Sequence, residues 1–475
     1  MPRFRALAVL CALGALLPCT SCGDAQTAPA VPGGGFPGDY GETAARIIGA
    51  ARTDETVHEQ LTYLCDRIGP RPAGSPAYDE AASWAAAEMA RDGLDAVRHE
   101  PVTIEMWRRG EESALLLEPG GPRPIAVLGL GRSVATPRGG ITGEVVPVRG
   151  FDELSRLGRA VKGKIVLFNF PMREPSASAY AEAVAYRWTA AARAARRGAV
   201  AALVRSVTTR RLGTPHTGVM AYEDDAPEIP AAAITTEDAD LIERLHEAGA
   251  SPVVKLVLAG GPLPPAASAN VVGELRGREL PGEIVLAGAH LDSWDVACGA
   301  HDNASGVVVA LGAARLLRGL DIRPRRTVRV VLFTNEERGL DGARAYLEAH
   351  RDEIDRHAAA LEHDGGGFAP RGFAVDAGSD ALARLAGFVE LFRPLGALSL
   401  RMGGSGADVS PLVRLGVPGL GLVAENERYF DYHHSAADTL DKVDAGELKE
   451  SLAAFTLMTW LLAEDPEPLP RVPTS

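Results

Sequence analysis

The chain has 475 residues, 46% of them apolar and 5% aromatic, and a formal net charge of −13. That length suits two domains, in succession or one inserted in the other, and the balance of Ala, Gly, Leu and Val suits a soluble α/β protein. The acidic balance has no long basic run to offset it, which excludes nucleic acid as a partner; the Arg323–Arg326 patch is short and reads as a solvated loop.

The chain opens on a targeting segment, residues 1–22. Arg3 and Arg5 give it a basic start, and the apolar stretch Ala6–Leu17 is too short to span a bilayer. An exported protein is expected, secreted, periplasmic or membrane-anchored. Thr20-Ser21-Cys22 resembles the bacterial lipobox, which makes Cys22 a lipidation candidate and a lipid anchor to the membrane an expectation. Cys19 stands where Leu is usual, so an ordinary signal cleaved near Ala28 or Ala30 stays open. Three of the five cysteines, Cys11, Cys19 and Cys22, lie here, leaving Cys65 and Cys298, too few for a disulfide framework. Residues 23–39, rich in Pro, Gly and Ala, read as a flexible linker.

The first folded part, 40–123, is expected to hold a helix over Ala44–Leu64, a turn at Ile68–Pro72, and an Ala-rich helix from Ser75 or Pro76 to Met89, closed by Gly93. Val102–Met106 and Ser113–Leu117 read as a hairpin. The texture changes near Pro124. Residues 124–265 carry short β runs (Ile141–Val148, Lys164–Phe168, Val200–Val204, Ala231–Ile234) and a helix over Ala181–Arg197, with no cluster of metal-type residues. His216 in this stretch reads as a structural loop histidine, and Gly260–Ala267, with three prolines, as a linker. In the part 266–467, strands are expected at Asn270–Leu275, Glu283–Ala289, Thr327–Thr334, Ala358–Leu361 and Gly419–Val423. Helices fall at Ser305–Leu317, Gly342–His350, Asp380–Phe392 and Ala445–Leu462, before a tail at 468–475. Strands alternating with helices predict a largely parallel sheet that binds ligands at the carboxyl ends of its strands.

Those ends carry unusual residues. Glu336 and Glu337 close an apolar run whose burial gives no structural use for adjacent like charges, so a cation is expected there. His290 and Asp292 close a second run; Asp302, Asp364 and the segment with His433, His434 and Asp438 complete the set. Imidazoles and carboxylates from several strand ends are zinc ligands, and five are one too many for a single tetrahedral ion. The expected arrangement gives His290 and Asp364 to one zinc, Glu337 and His434 to a second, and Asp302 to both. Glu336 then remains as general base for a water acidified by two Zn2+ ions, the chemistry of amide hydrolysis. Asp292 is placed to orient His290, with a surface-loop role as the alternative. His301 and His363, each beside an expected ligand, read as supporting or surface groups, and Cys298 as a small buried residue.

The stretch Gly288–Asp295, with Asp302, Glu336-Glu337, Asp364 and His434-Ser435-x-x-Asp438, resembles the co-catalytic di-zinc aminopeptidase/carboxypeptidase family. The similarity extends over nearly the whole mature chain, through Trp107–Ser113, Gly129–Gly131, Arg205–Val207, Pro215–Gly218 and Val417–Gly419. It implies an α/β fold: a phosphorylase/hydrolase-like α/β/α zinc exopeptidase domain on a mainly parallel mixed sheet, interrupted by a β-rich protease-associated domain. It further implies peptide substrates with free termini, a homodimer, and a cis bond between Asp302 and Asn303. Many relatives carry Tyr where this chain has His433, which leaves oxyanion stabilisation by His433 open. Asp408 takes the place of an acid near substrate in relatives; meeting a free α-amino group and capping a loop are both open. The activity implied is hydrolysis of dipeptides or short peptides. The alternatives are an aminopeptidase on longer peptides, a glutaminyl cyclase, and a non-catalytic binding module of the same fold.

Overall fold

The computed structural model describes residues 40–471, apart from positions 397 and 426. The targeting segment, the linker and Cys22 lie outside the described residues. Two compact units emerge, one of residues 109–261 and one of residues 40–108 together with 262–471.

The larger unit is built on an eight-stranded sheet in the order Asp95–Arg108, Gly261–Leu275, Arg326–Phe333, Leu280–His290, His357–Glu362, Gly419–Ala424, Pro370–Asp376, Ser399–Met402. Its centre is parallel: Leu280–His290 runs with both Arg326–Phe333 and His357–Glu362, and the latter runs with Gly419–Ala424. Gly261–Leu275 and Pro370–Asp376 pair antiparallel to their inner neighbours, so the sheet is mixed.

All eight residues of Arg326–Phe333 are buried, as a strand covered on both faces must be. The period-2 geometry sorts them. Val328, Val330 and Leu332 join Val285, Ala287 and Ala289 in one core, against the helices Tyr40–Arg52, Pro76–Arg91, Ser305–Gly319 and Ala445–Glu464. Val331 and Phe333 join Leu286 and Val272 in the other, under Asp341–Ala349. Ala445–Glu464 is apolar around most of its circumference because it is buried there. Among the described residues no helix is long and apolar enough to cross a membrane.

The smaller unit has its own eight-stranded sheet, with parallel strands Ile141–Val148, Ile165–Phe168, Ala201–Arg205 and Ala231–Ile234 at its centre. Val166 and Phe168 face one core with the helix Ala177–Ala195; Ile165 and Leu167 face another with Thr236–Glu247. Ser176 and Thr235 cap these helices, their side chains accepting from Ala179 N–H and Asp238 N–H. His216 is buried, its backbone N–H donating to Ser206 Oγ at 2.8 Å.

Four local expectations need correction. Val102–Met106 and Ser113–Leu117 form no hairpin: the first lies in the strand Asp95–Arg108 of the larger sheet, while Glu112–Glu118 pairs with Arg123–Ile125 and Val253–Leu258. Gly260–Ala267 is mostly the exposed start of the strand Gly261–Leu275, an extended path that proline's fixed φ favours. The helix expected over Ala44–Leu64 breaks after Arg52, where the Asp54 carboxylate accepts from Val57 N–H at 2.8 Å and starts a new helix, Thr56–Thr62. The helix expected over Asp380–Phe392 ends at Ala386 and resumes as a tighter turn, Val389–Leu395.

Candidate metal centre

Three parallel strands end on the same edge of the sheet, and their ends carry the site. In register, His290 lies beside Phe333 and Gly288 beside Glu362. Beyond Phe333 the chain turns through Asn335, whose φ of 59° is left-handed, a conformation Asn adopts more readily than most residues. That turn brings Glu336 and Glu337 back over the edge. Beyond Glu362 come His363 and Asp364, with His363 N–H bonded to Gly288 O at 3.0 Å.

His290 is fully buried. Its Nδ1 donates to the carbonyl of Asp292 at 3.0 Å, which aims Nε2 at Asp302 Oδ1 (3.2 Å) and Asp364 Oδ1 (3.3 Å). The other oxygen of Asp302 faces the opposite side: Oδ2 lies 3.1 Å from His434 Nε2 and 3.6 Å from His433 Nε2. His434 Nε2 is also 3.0 Å from Glu337 Oε2, and the second Glu337 oxygen has no hydrogen-bond partner. Two donor clusters therefore share one carboxylate. His290, Asp302 and Asp364 form one; Asp302, His433 and His434 form the other, with Glu337 joined to it through His434. His433 and His434 stack with centroids 3.6 Å apart.

The electrostatics are those of crowded acids. Burial above all pushes Glu337 up to about 7 and Glu336 well above the carboxylate range, with Asp364 and Glu337 adding to the burial of Glu336. Burial lowers His290, but Asp364 and Asp302 override it and raise the imidazole well above its ordinary value. Asp302 goes the other way: despite burial, hydrogen bonds from His290 and His434 hold it well below its ordinary value. Imidazole nitrogens and carboxylate oxygens, in excess of negative charge and arranged as two clusters about a shared carboxylate, fit zinc.

Around the clusters, the Asp302–Asn303 peptide bond is cis. Asp438 accepts from the backbone N–H of both His301 (2.7 Å) and Asp302 (3.0 Å). Asp292 contacts His290 mainly through its carbonyl; its carboxylate lies 3.8 Å away and instead accepts from Glu336 N–H at 3.1 Å. His301 and His363 are buried, so neither is a surface group; His301 stacks on Phe368 and accepts from Gly367 N–H. Burial pushes His301 down to about 3 and His363 to about 4. Cys298 is buried and belongs to neither donor cluster.

Asp408 is buried with no hydrogen-bond partner on either oxygen, so it caps no loop. Glu362 does that work, accepting from Ala407 N–H (3.2 Å) and Val409 N–H (2.9 Å). Burial, then Glu362 and Glu336, raise Asp408 well above its ordinary value. Glu362 was missed in the sequence, though it closes the apolar run Ala358–Leu361 as Glu336 closes another. Arg71 was also missed. It is fully buried and bonds Leu291 O and Cys298 O, but a lone Arg in a Pro-Gly turn gives no sign of that.

Comparison with known proteins gives the family. The model of peptidase family M28 matches residues 270–458, and that of the PA domain matches residues 141–242. The chain is 38% identical to carboxypeptidase Q of Homo sapiens over 434 residues, covering 91% of each. A crystal structure of a peptidase M28 precursor from Shewanella amazonensis is 34% identical, with a TM-score of 0.88, covering 91% of this chain and 99% of that one. A zinc aminopeptidase from Bacillus subtilis, 21% identical with a TM-score of 0.64 over 88% of this chain and 97% of its own, shares the fold. The PA match falls inside the smaller unit, between the two stretches of chain that build the larger one. With homology along nine-tenths of its length and a PA domain inserted in the peptidase domain, the chain belongs to peptidase family M28.

Proposed function

We propose that this chain is an exported exopeptidase that hydrolyses dipeptides or short peptides with free termini at a centre of two zinc ions. The observation that carries the reading is the division of Asp302: one oxygen faces His290, the other His434. His290 and Asp364 would hold one ion, Glu337 and His434 the other, and Asp302 would serve both. Zinc bound there would supply a Lewis acid that polarises a peptide carbonyl and acidifies water. Glu336, beside the clusters but in neither, takes the proton from the attacking water at its carboxylate and returns it to the departing nitrogen. The carbonyl of Asp292 fixes the tautomer and direction of His290. His433, at the rim of the second cluster, donates to the developing oxyanion. Asp408, buried with both oxygens free, receives the α-amino group of the substrate.

The test is a panel of dipeptides, longer peptides and terminally blocked peptides, with metal content measured on the same samples. About two zinc ions per chain are expected, with hydrolysis abolished by chelator. Glu336→Gln is expected to keep its metal and lose about a thousandfold in kcat. Full activity in that variant contradicts the role of Glu336, and cleavage of peptides blocked at both ends contradicts an exopeptidase.

A further inference from the structure

A second cavity, of about 260 Å³, opens in the larger unit at the opposite edge of the sheet from the metal centre. Leu275, which lines it, pairs with Val328 near the start of the strand Arg326–Phe333, whose other end leads to Glu336. Arg318, Asp321 and Arg323 reach it from the end of the helix Ser305–Gly319; Asp95 opens one edge strand, and Arg276 follows Gly261–Leu275. Leu275, Leu317 and Ile322 are buried and give it an apolar floor. Among the described residues, none of the five charged side chains makes an ion pair, although three cations and two anions line the same space. Just outside it the charges are matched: Arg278 pairs with Glu464 and Glu279, and Arg325 with Glu279. Capping the helix does not account for the lining arginines either, because Arg46 takes Leu320 O at 2.8 Å, while Arg323 Nε bonds Arg276 O at 2.9 Å. Asp321 is doubly out of place. Its φ of 55° is left-handed, where Gly is usual, and an acid just past a helix C-terminus opposes the macrodipole.

We propose that this cavity binds a free α-amino acid with an apolar side chain. A simple anion there meets the guanidinium groups but also faces Asp95 and Asp321, and a metal cation meets the acids but faces three positive charges. A zwitterion answers both. Its carboxylate takes the paired N–H donors of an arginine, its ammonium takes the aspartates, and its side chain covers the floor of Leu275, Leu317 and Ile322. The volume admits a small molecule and not a folded partner. Free amino acids are also what an exopeptidase releases, which makes the cavity a site for product; that link alone rests on the proposed function, and the binding does not.

The test is amide hydrogen exchange of the full chain, read by mass spectrometry over residues 316–323, with and without leucine. Exchange there is expected to slow about tenfold once leucine stands at about ten times its dissociation constant. No slowing overturns the site. Leucinamide, which lacks the carboxylate, N-acetyl-leucine, which lacks the ammonium, and inorganic phosphate are each expected to leave exchange unchanged; equal slowing by any of them overturns a zwitterion as ligand. Asp321→Gly suits the left-handed backbone and removes the carboxylate, so it is expected to keep its melting temperature and lose the leucine effect. Arg318→Ala, on the other side of the ligand, is expected to lose the effect as well. Undiminished slowing in both variants overturns the assignment. Peptide hydrolysis is expected to be unchanged in both, so failure of this site and failure of the proposed function read out separately.

Discussion

Arg71 shows how much of the site depends on a residue outside both donor clusters. Its Nε donates to Leu291 O at 2.7 Å and its terminal nitrogens to Cys298 O, Gly69 O and Gly299 O, while its backbone N–H bonds Ser293 Oγ at 3.1 Å. One guanidinium thus clamps the loop after His290 to the loop before Asp302. Lys offers a point charge in place of the planar fork and cannot reach all of these carbonyls. Arg71→Ala is expected to cost about 3 kcal/mol through unpaired buried carbonyls, and Arg71→Lys somewhat less. Both should weaken zinc retention against a chelator; a melting temperature and metal content equal to the unaltered protein contradict the clamp. Nothing in the turn Ile68–Pro72 signals this, because a local pattern describes a residue's own conformation and not the distant carbonyls it meets. Glu336 and Glu337 were legible for the opposite reason: their oddity, two acids closing an apolar strand, is itself local.

At the scale of elements, strands announced themselves where both faces are buried, since Val330–Phe333 and Ile284–Ala289 are continuous apolar runs. The failures are also instructive. Glu112–Glu118 has the alternation of a strand, but alternation does not choose its partner, and it pairs in the other sheet. One contact between elements has consequences for the site. Asn270 joins the strand end to the next helix, accepting from Thr334 N–H at 3.0 Å and donating to Gly342 O at 2.9 Å. A Cβ on Gly342 would fall 2.4 Å from Asn270 Oδ1 and 2.5 Å from Thr334 O. Gly342→Ala is therefore expected to destabilise by about 2 kcal/mol and to lower kcat, because Thr334 leads directly into Asn335–Glu337. Gly319→Ala, where a Cβ would meet nothing within 4 Å, serves as the control and should change little in urea unfolding.

At the scale of the whole molecule, stability should fall with acid for a reason remote from the metal centre. His357 is fully buried, bonding Tyr346 Oη at 2.9 Å and Glu353 O at 2.9 Å, and burial pushes it down to about 4. Its ordinary value is near 6.5, so the unfolded chain binds a proton there before the folded one does. The contribution is complete above pH 6.5 and is lost as pH falls to about 4. It amounts to about 3 kcal/mol at most. His357→Gln should flatten that part of the curve of unfolding free energy against pH; an unchanged slope between pH 6.5 and 4 removes His357 as its source. The sequence by itself determined the two architectures, the apolar strands and the acids and imidazoles at their ends, because each depends on the periodicity and chemistry of a short stretch. Only the tertiary structure decided which oxygen of Asp302 faces which histidine, and that Arg71 spans two loops. Those contacts join residues far apart along the chain, and their geometry is set by how whole elements pack, which no local pattern encodes.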